Sequence, residues 1–282
     1  MKRVIPVLCT ALLLLSLWRD PETVTVSASE VESMELPILM YHSILKDSER
    51  QGDYVVSPTV LESDLKYLLN NHYQTVTISE VVAYVNRTGE LPEKSVMITF
   101  DDGYYNNYSY AYPILKQYGA RAVLSPVASL SEQFTESGEE NAYWSYCTRT
   151  QLKEMSDSGV FEIANHSYDM HELSPRRGCL KRSGETGAQY RENLMTDIKK
   201  AQDVFLQYAI PAPICYTYPY GALSDQSEAI VRELGFAVTL GCEEGINVLI
   251  RGDAECLYRL KRYNRASGKS SAEFLSQMLL DD

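Results

Sequence analysis

The chain has 282 residues and a net charge of −12, with 45% hydrophobic and 23% charged residues. That balance excludes a disordered chain and leaves material for one large α/β domain or two small ones. The acidity argues against nucleic acid or an anionic membrane surface as a partner, because both repel a net anion. The aromatic residues are 21 Tyr against 6 Phe and 2 Trp, which suits a polar groove, and 4 histidines leave few candidates for imidazole chemistry.

Lys2 and Arg3 precede an apolar run from Val4 to Trp18, closed by Arg19-Asp20-Pro21. About fifteen apolar residues behind a charged start have the shape of a secretory signal and fall short of the roughly 20 that span a bilayer. Val26-Ser27-Ala28 offers a cleavage site, so residues 1–28 are expected to be a signal peptide, with an uncleaved membrane anchor as the other reading. A short linker at 29–35 and one domain at 36–282 are expected to follow, secreted or anchored at a bacterial cell envelope. Cys147, Cys179, Cys215, Cys242 and Cys256 lie in this body with no close spacing, compatible with one or two disulfides and at least one free thiol.

From residue 36 onward, short apolar runs alternate with helical patterns. Strands are expected at 37–41, 96–100, 122–126, 160–165, 214–218, 236–240 and 257–261. Helices are expected near 58–70, 78–86, 108–118, 149–158, 187–208, 223–234 and 271–280, and a long loop at 132–141. Apolar rather than alternating strands between helices predict a covered parallel sheet, doubly wound or closed into a barrel. No internal repeat or long linker interrupts the pattern.

Functional groups of such folds collect at the carboxyl ends of strands. There stand Tyr41-His42-Ser43, Asp101-Asp102-Gly103, the segment Asn165-His166-Ser167-Tyr168-Asp169-Met170-His171, Tyr218-Pro219-Tyr220-Gly221, and Arg262-Tyr263-Asn264-Arg265. Neighbouring side chains on a strand point to opposite faces, so Asp101 and Asp102 converge only where the strand ends, and Gly103 permits the turn. One carboxylate then suits a metal and the other a base, although Asp-Asp-Gly alone also reads as a simple turn. His166 and His171 would stand about 140° apart on a helix and on opposite faces of a strand, so they share a ligand only across a loop. Two imidazoles and a carboxylate make a metal site with open positions.

The segment VMITFDDGYYNNYSYAYPIL, with FEIANHSYDMHEL and YTYPYGA, resembles the three motifs of the polysaccharide deacetylases, carbohydrate esterase family 4 with its NodB-homology domain. The resemblance covers roughly 36–265. It implies a distorted (β/α)7 TIM-like barrel with the active site at the carboxyl ends of the strands. The spacing of His166 and His171 resembles that of the poly-N-acetylglucosamine deacetylase branch, where other members carry His-Ser/Thr-x-x-His. The resemblance implies Asp102, His166 and His171 as ligands of a divalent metal, zinc above all, with Asp101 as the catalytic base and the backbone N–H of Tyr220 as an oxyanion donor.

Two features depart from the wider family. No histidine follows His171, so the usual Leu-x-His acid is absent, and His42 is the rim histidine that remains as candidate acid. No Arg precedes Pro219-Tyr220-Gly221, and Arg262 is the alternative cation, with a surface ion pair as its plain reading. Tyr218, Asp169 and, more weakly, Trp144 are candidate substrate contacts, and His72 reads as a surface residue. The expected function is metal-dependent N-deacetylation of an extracellular N-acetylglucosamine polysaccharide by a monomer, meeting the membrane only through an uncleaved N-terminal segment. The competing readings are an O-acetyl esterase of xylan type, a non-catalytic carbohydrate-binding relative, and a glycosidase. Adjacent carboxylates are too close for the roughly 5–9 Å that a glycosidase needs. Asn86, Asn107 and Asn165 match glycosylation sequons, but a glycan on Asn165 would crowd His166, which favours a bacterial origin.

Overall fold

The computed structural model describes residues 32–279; the expected signal or anchor at 1–28 and the first residues of the expected linker lie outside them. Its centre is a ring of parallel strands: β1 (Ile38–Tyr41), β2 (Ser95–Asp102), β3 (Ala122–Pro126), β4 (Phe161–Ile163), β5 (Cys215–Thr217), β6 (Val238–Leu240) and β7 (Tyr263–Asn264). β7 pairs with β1, β1 with β2, β2 with β3, β3 with β4, and β5 with β6, each in parallel. Parallel bridges Asn165↔Tyr216 and Leu240↔Leu260 close the two remaining gaps, completing the expected seven-stranded distorted barrel.

The helices among the described residues are α1 (Pro58–Asn70), α2 (Ile78–Val85), α3 (Tyr112–Gln117), α4 (Ala128–Ser137), α5 (Arg149–Asp157), α6 (Gly187–Gln207), α7 (Asp225–Glu233) and α8 (Ser271–Leu279). Their starts are written in the sequence: Ser57 caps α1 before Pro58, and Thr77/Glu80, Thr148/Gln151 and Thr186/Gln189 form capping boxes. Among the described residues, no helix is long and apolar enough to cross a membrane.

Alternation along the buried β2 sorts the core. Val96, Ile98 and Phe100 pack outward with Leu61, Leu65 and Leu68 of α1. Met97, Thr99 and Asp101 point the other way, into the ring, in register with Ile38, Met40 and Ser125 on the neighbouring strands. Met97 and Ile38 join Val123, Cys215, Val238 and the buried side of α2 in a second cluster. The barrel is therefore an apolar plug at its amino end and polar at its carboxyl mouth. Each large apolar side chain so enclosed contributes roughly 1.5–3 kcal/mol of burial. α6 and α7 cover β5 from outside, through Tyr190, Leu194, Ile198, Ile230 and Val231.

Four local expectations are corrected. The last strand does not run over 257–261: a 3-10 turn occupies Ala254–Leu257, Arg259 takes φ 59°, and pairing moves on to β7. More than half of the expected loop at 132–141 is α4, which is capped by Gly138 in the left-handed conformation. Ser33–Leu36, three of them in the expected linker at 29–35, form an antiparallel strand with Asn247–Ile250 because Leu36 and Leu249 both enter the second cluster. The five cysteines from Cys147 onward are free thiols, and Cys147, Cys179 and Cys215 are buried without a cysteine partner. Asn107 and Asn165 are fully buried, which excludes glycans on them in the folded chain.

Candidate active site

Asp101 and Asp102 part company at the end of β2. Asp102 adopts φ 68° and Gly103 φ 77°, so the chain swings over at the rim. A Cβ on Gly103 would meet Pro126 Cβ at 2.6 Å, which is why glycine stands there. Asp101 stays on the ring's inner face and Asp102 turns toward the end of β4.

Two imidazoles meet Asp102 there. Its Oδ1 lies 3.5 Å from His166 Nε2 and 3.0 Å from His171 Nε2. The three ligand atoms fall within 4.8 Å of one another, the loop route that the five-residue histidine spacing requires. His166 Nδ1 lies 2.8 Å from the Thr217 carbonyl, and a carbonyl only accepts, so Nδ1 carries the proton and Nε2 presents a lone pair. His171 Nδ1 lies 3.2 Å from the Tyr220 hydroxyl, which also reaches the His171 carbonyl at 3.3 Å. Asp102 Oδ1 is buried without a hydrogen bond. An orphaned carboxylate oxygen 3.0 and 3.5 Å from two imidazole nitrogens fits a divalent cation.

The loop between the histidines is fastened at several points. Ser167 takes φ 72°, with its N–H donating to Asn165 Oδ1 and its carbonyl accepting from Ala128 at the start of α4. Asp197, on α6, accepts the N–H of Tyr168 at one oxygen (2.9 Å) and of Asp169 at the other (2.8 Å). Burial pushes the Asp197 carboxyl up to about 6 against those two donors. Nothing local in the α6 sequence marks Asp197, and sequence reading missed it.

Arg262 is no surface ion pair. It is fully buried and grips Asp101 with both branches, at 2.7 and 2.8 Å, while Nε donates to the Gly241 carbonyl at 2.7 Å. Burial alone would raise the Asp101 carboxyl; the guanidinium outweighs it and holds the group below the usual range, so Asp101 stands ionised. His42 Nε2 lies 3.9 Å from Asp101 Oδ2, and its ring meets Tyr54 edge-on at 4.8 Å. Burial lowers the His42 pKa and keeps the ring neutral, although both aspartates pull the other way.

The remaining candidates divide. Tyr220, at φ 58° in the turn after β5, lays its ring 4.4 Å from that of His171. Tyr218 is fully buried and packs behind β5 with Tyr216, not in a groove: the two are separated by the strand period and share the outer face. Asp169 is exposed on the loop, its carboxylate taking a hydrogen bond from Ser129 at 3.2 Å. His72 is exposed in the turn after α1.

A closed parallel barrel whose mouth holds an Asp-His-His cluster beside an arginine-clamped carboxylate defines a metal-assisted hydrolase. The polysaccharide deacetylase family model matches residues 88–239, more than half of the chain, and the chain belongs to that family. A Bacillus subtilis protein provisionally named a polysaccharide deacetylase is 31% identical over 241 residues, covering 85% of this chain and 75% of its own. The Escherichia coli poly-beta-1,6-N-acetyl-D-glucosamine N-deacetylase is 27% identical over 261 residues, covering 86% of this chain, which spans only 38% of that enzyme. Among solved structures, a de-N-acetylase from Aggregatibacter actinomycetemcomitans superposes with a TM-score of 0.71 at 25% identity, over 85% of this chain and 98% of that one. His42 and Arg262 both lie outside the matched segment and enter the site only through the fold.

Proposed function

We propose that this chain hydrolyses the N-acetyl groups of an N-acetylglucosamine polysaccharide and releases acetate, outside the cytoplasm as the charged-then-apolar start of the sequence implies. The observation that carries the reading is the meeting of Asp102, His166 and His171 with the clamped Asp101 and neutral His42 on one rim. The named activity of the E. coli relative supports the substrate class.

On this reading Asp102, His166 and His171 hold the divalent cation, zinc by the chemistry of two imidazoles and one carboxylate. When bound, the cation supplies a Lewis acid that polarises the acetyl carbonyl and acidifies the attacking water. Asp101, kept ionised and aimed by Arg262, takes the proton from that water. The Tyr220 N–H is the donor assigned to the oxyanion; the hydrogen bonds of its turn run instead from Gly221 to Tyr218 and from Ala222 to Pro219. His42 starts neutral, so it can protonate the amine only by taking up a proton in exchange. It delivers to the departing amine the proton that Asp101 has taken up, 3.9 Å away. The C–N bond breaks, a C–O bond forms, and acetate and a free amine leave.

The test is acetate release from β-1,6-linked N-acetylglucosamine oligomers, chitin oligomers, peptidoglycan and acetylated xylan. The glucosamine oligomers are expected to react and the Asp101→Asn variant to be silent. Release that survives Asp101→Asn would overturn the mechanism, and release from xylan alone would move the assignment to ester hydrolysis.

A further inference from the structure

The most exposed large aromatics among the described residues are Tyr54 (60%), Tyr143 (46%) and Trp144 (54%), and all three stand on the His42 side of the rim. They come from separate segments that one buried side chain ties together. Asn106 accepts the Ile44 N–H and donates from Nδ2 to Ser43 Oγ and to the Ala142 carbonyl, each at 2.8 Å. Ser43 in turn pairs with Tyr54 through its backbone N–H. The neighbouring Asn107 holds the His42 carbonyl at 2.7 Å.

The turn that carries Tyr143 and Trp144 is itself fixed. Asn141 accepts the Tyr143 N–H at 2.9 Å, and the Tyr105 N–H donates to the Ser145 carbonyl at 2.8 Å. Trp144 Nε1 is anchored on Glu139 at 2.7 Å, and the Arg50 guanidinium sits 5.1 Å from the Tyr143 ring centre. Arg50 thus covers one face of Tyr143 and Glu139 holds the indole N–H of Trp144, while much of each of the three rings stays open to water. A fixed row of open aromatic faces is costly to maintain unless something covers it.

We infer that Tyr54, Tyr143 and Trp144 form a stacking subsite for sugar rings that flank the reacting unit of a neutral N-acetylhexosamine chain. The inference rests on the deacetylase reading and extends it from the bond broken to the chain held. The strip is continuous with the chemistry, because Tyr54 touches His42 and His42 faces Asp101. Rigid aromatic faces with few rotatable bonds offer a large contact area at low entropic cost, and the apolar faces of pyranose rings match them. A sugar seated on Tyr54 would place the next unit of its chain beside His42, so binding on the strip and position at the centre are linked through the polymer.

Trp18 and Trp144 are the only tryptophans, so Trp18→Phe leaves Trp144 as the sole fluorescent indole. Titrating that variant with a β-1,6-linked N-acetylglucosamine hexamer is expected to shift Trp144 emission saturably, and at lower concentration than the monosaccharide. Trp144→Ala and Tyr54→Ala are expected to lower kcat/KM on the hexamer about tenfold, and on the dimer less than twofold. An emission that does not respond to the hexamer, or variants that keep the wild-type preference for long chains, would overturn the subsite. Acetate release by the wild type is read separately, so a bound hexamer without acetate would count against the deacetylase reading and not against the subsite.

Discussion

The Arg262 guanidinium holds both carboxylate oxygens of Asp101 across the mouth of the barrel, between residues 161 apart in the chain and with neither group open to solvent. Removing one partner of such a buried pair strands the other without compensation. Arg262→Ala is therefore expected to cost about 3–5 kcal/mol of stability, read by denaturant unfolding, and to reduce turnover at least a hundredfold. Arg262→Lys restores a charge but not the two-pronged grip, and is expected to recover stability better than rate. An Arg262→Ala variant with wild-type turnover would dismiss the clamp.

Metal removal separates the cation's role from the carboxylate's. A strong chelator is expected to abolish acetate release, and added Zn²⁺ to restore it. Zn²⁺ at about a thousandfold excess over Kd should stabilise the fold by about 4 kcal/mol, seen as a rise in Tm. Tyr220→Phe deletes the hydroxyl that His171 Nδ1 meets at 3.2 Å. Losses of about 10–100-fold in metal affinity are expected from a partner of this kind. Equal affinity in wild type and Tyr220→Phe, by titration against a competing chelator, would remove Tyr220 from that role.

The barrel was readable because its strands are buried on both faces, so 37–41, 96–100 and 122–126 stand out as largely apolar runs, interrupted only by Thr99 and Ser125. The grouping of Asp102, His166 and His171 could be named by resemblance, while the turn that makes it, with left-handed backbone at Asp102 as well as Gly103, leaves no mark in residue type. Arg262 was nameable as a cation but not as a buried one: its burial depends on the strand slipping from 257–261 to β7, where a positive φ at Arg259 intervenes. Tyr218 was misread for the opposite reason, since a tyrosine two residues from a site tyrosine gives no sign of which face it takes. The anchors Asp197 and Asn106 act across 28 or more residues through backbone N–H and carbonyl groups, a partnership that residue spacing does not encode.

Asp197 gives the next prediction. Its two oxygens hold the N–H groups of Tyr168 and Asp169, between the histidines of the cluster. Asp197→Ala leaves the apolar side of α6 in place, with Leu194, Ile198 and Ala201 still buried, so the variant is expected to fold. The freed loop is expected to bind Zn²⁺ about 10–100-fold more weakly, with turnover recovering at saturating metal. Unchanged affinity would mean that the bonds from Ser167 suffice to hold the loop.

The segment following His171 carries a pH signature of its own. Glu185 accepts from Arg176 and Asn193 at 2.7 Å each and from the Arg182 N–H at 2.9 Å, fixing the strap that leads into α6. Burial works against its ionisation, but these donors prevail and lower the carboxyl from 4.5 to about 2. A carboxyl depressed in the folded state stabilises the fold fully above its unfolded value and loses that contribution as pH falls toward the folded one. Glu185→Gln is accordingly expected to be less stable than wild type by about 1–2 kcal/mol at pH 7, after allowance for solvent screening. The difference should narrow steadily from about pH 4.5 downward and nearly vanish near pH 2, measured on metal-free protein so that the histidine cluster contributes equally to both chains. A gap that stays constant across that range would show that the Glu185 side chain acts by shape and neutral hydrogen bonding, which glutamine preserves in part, and not by its charge.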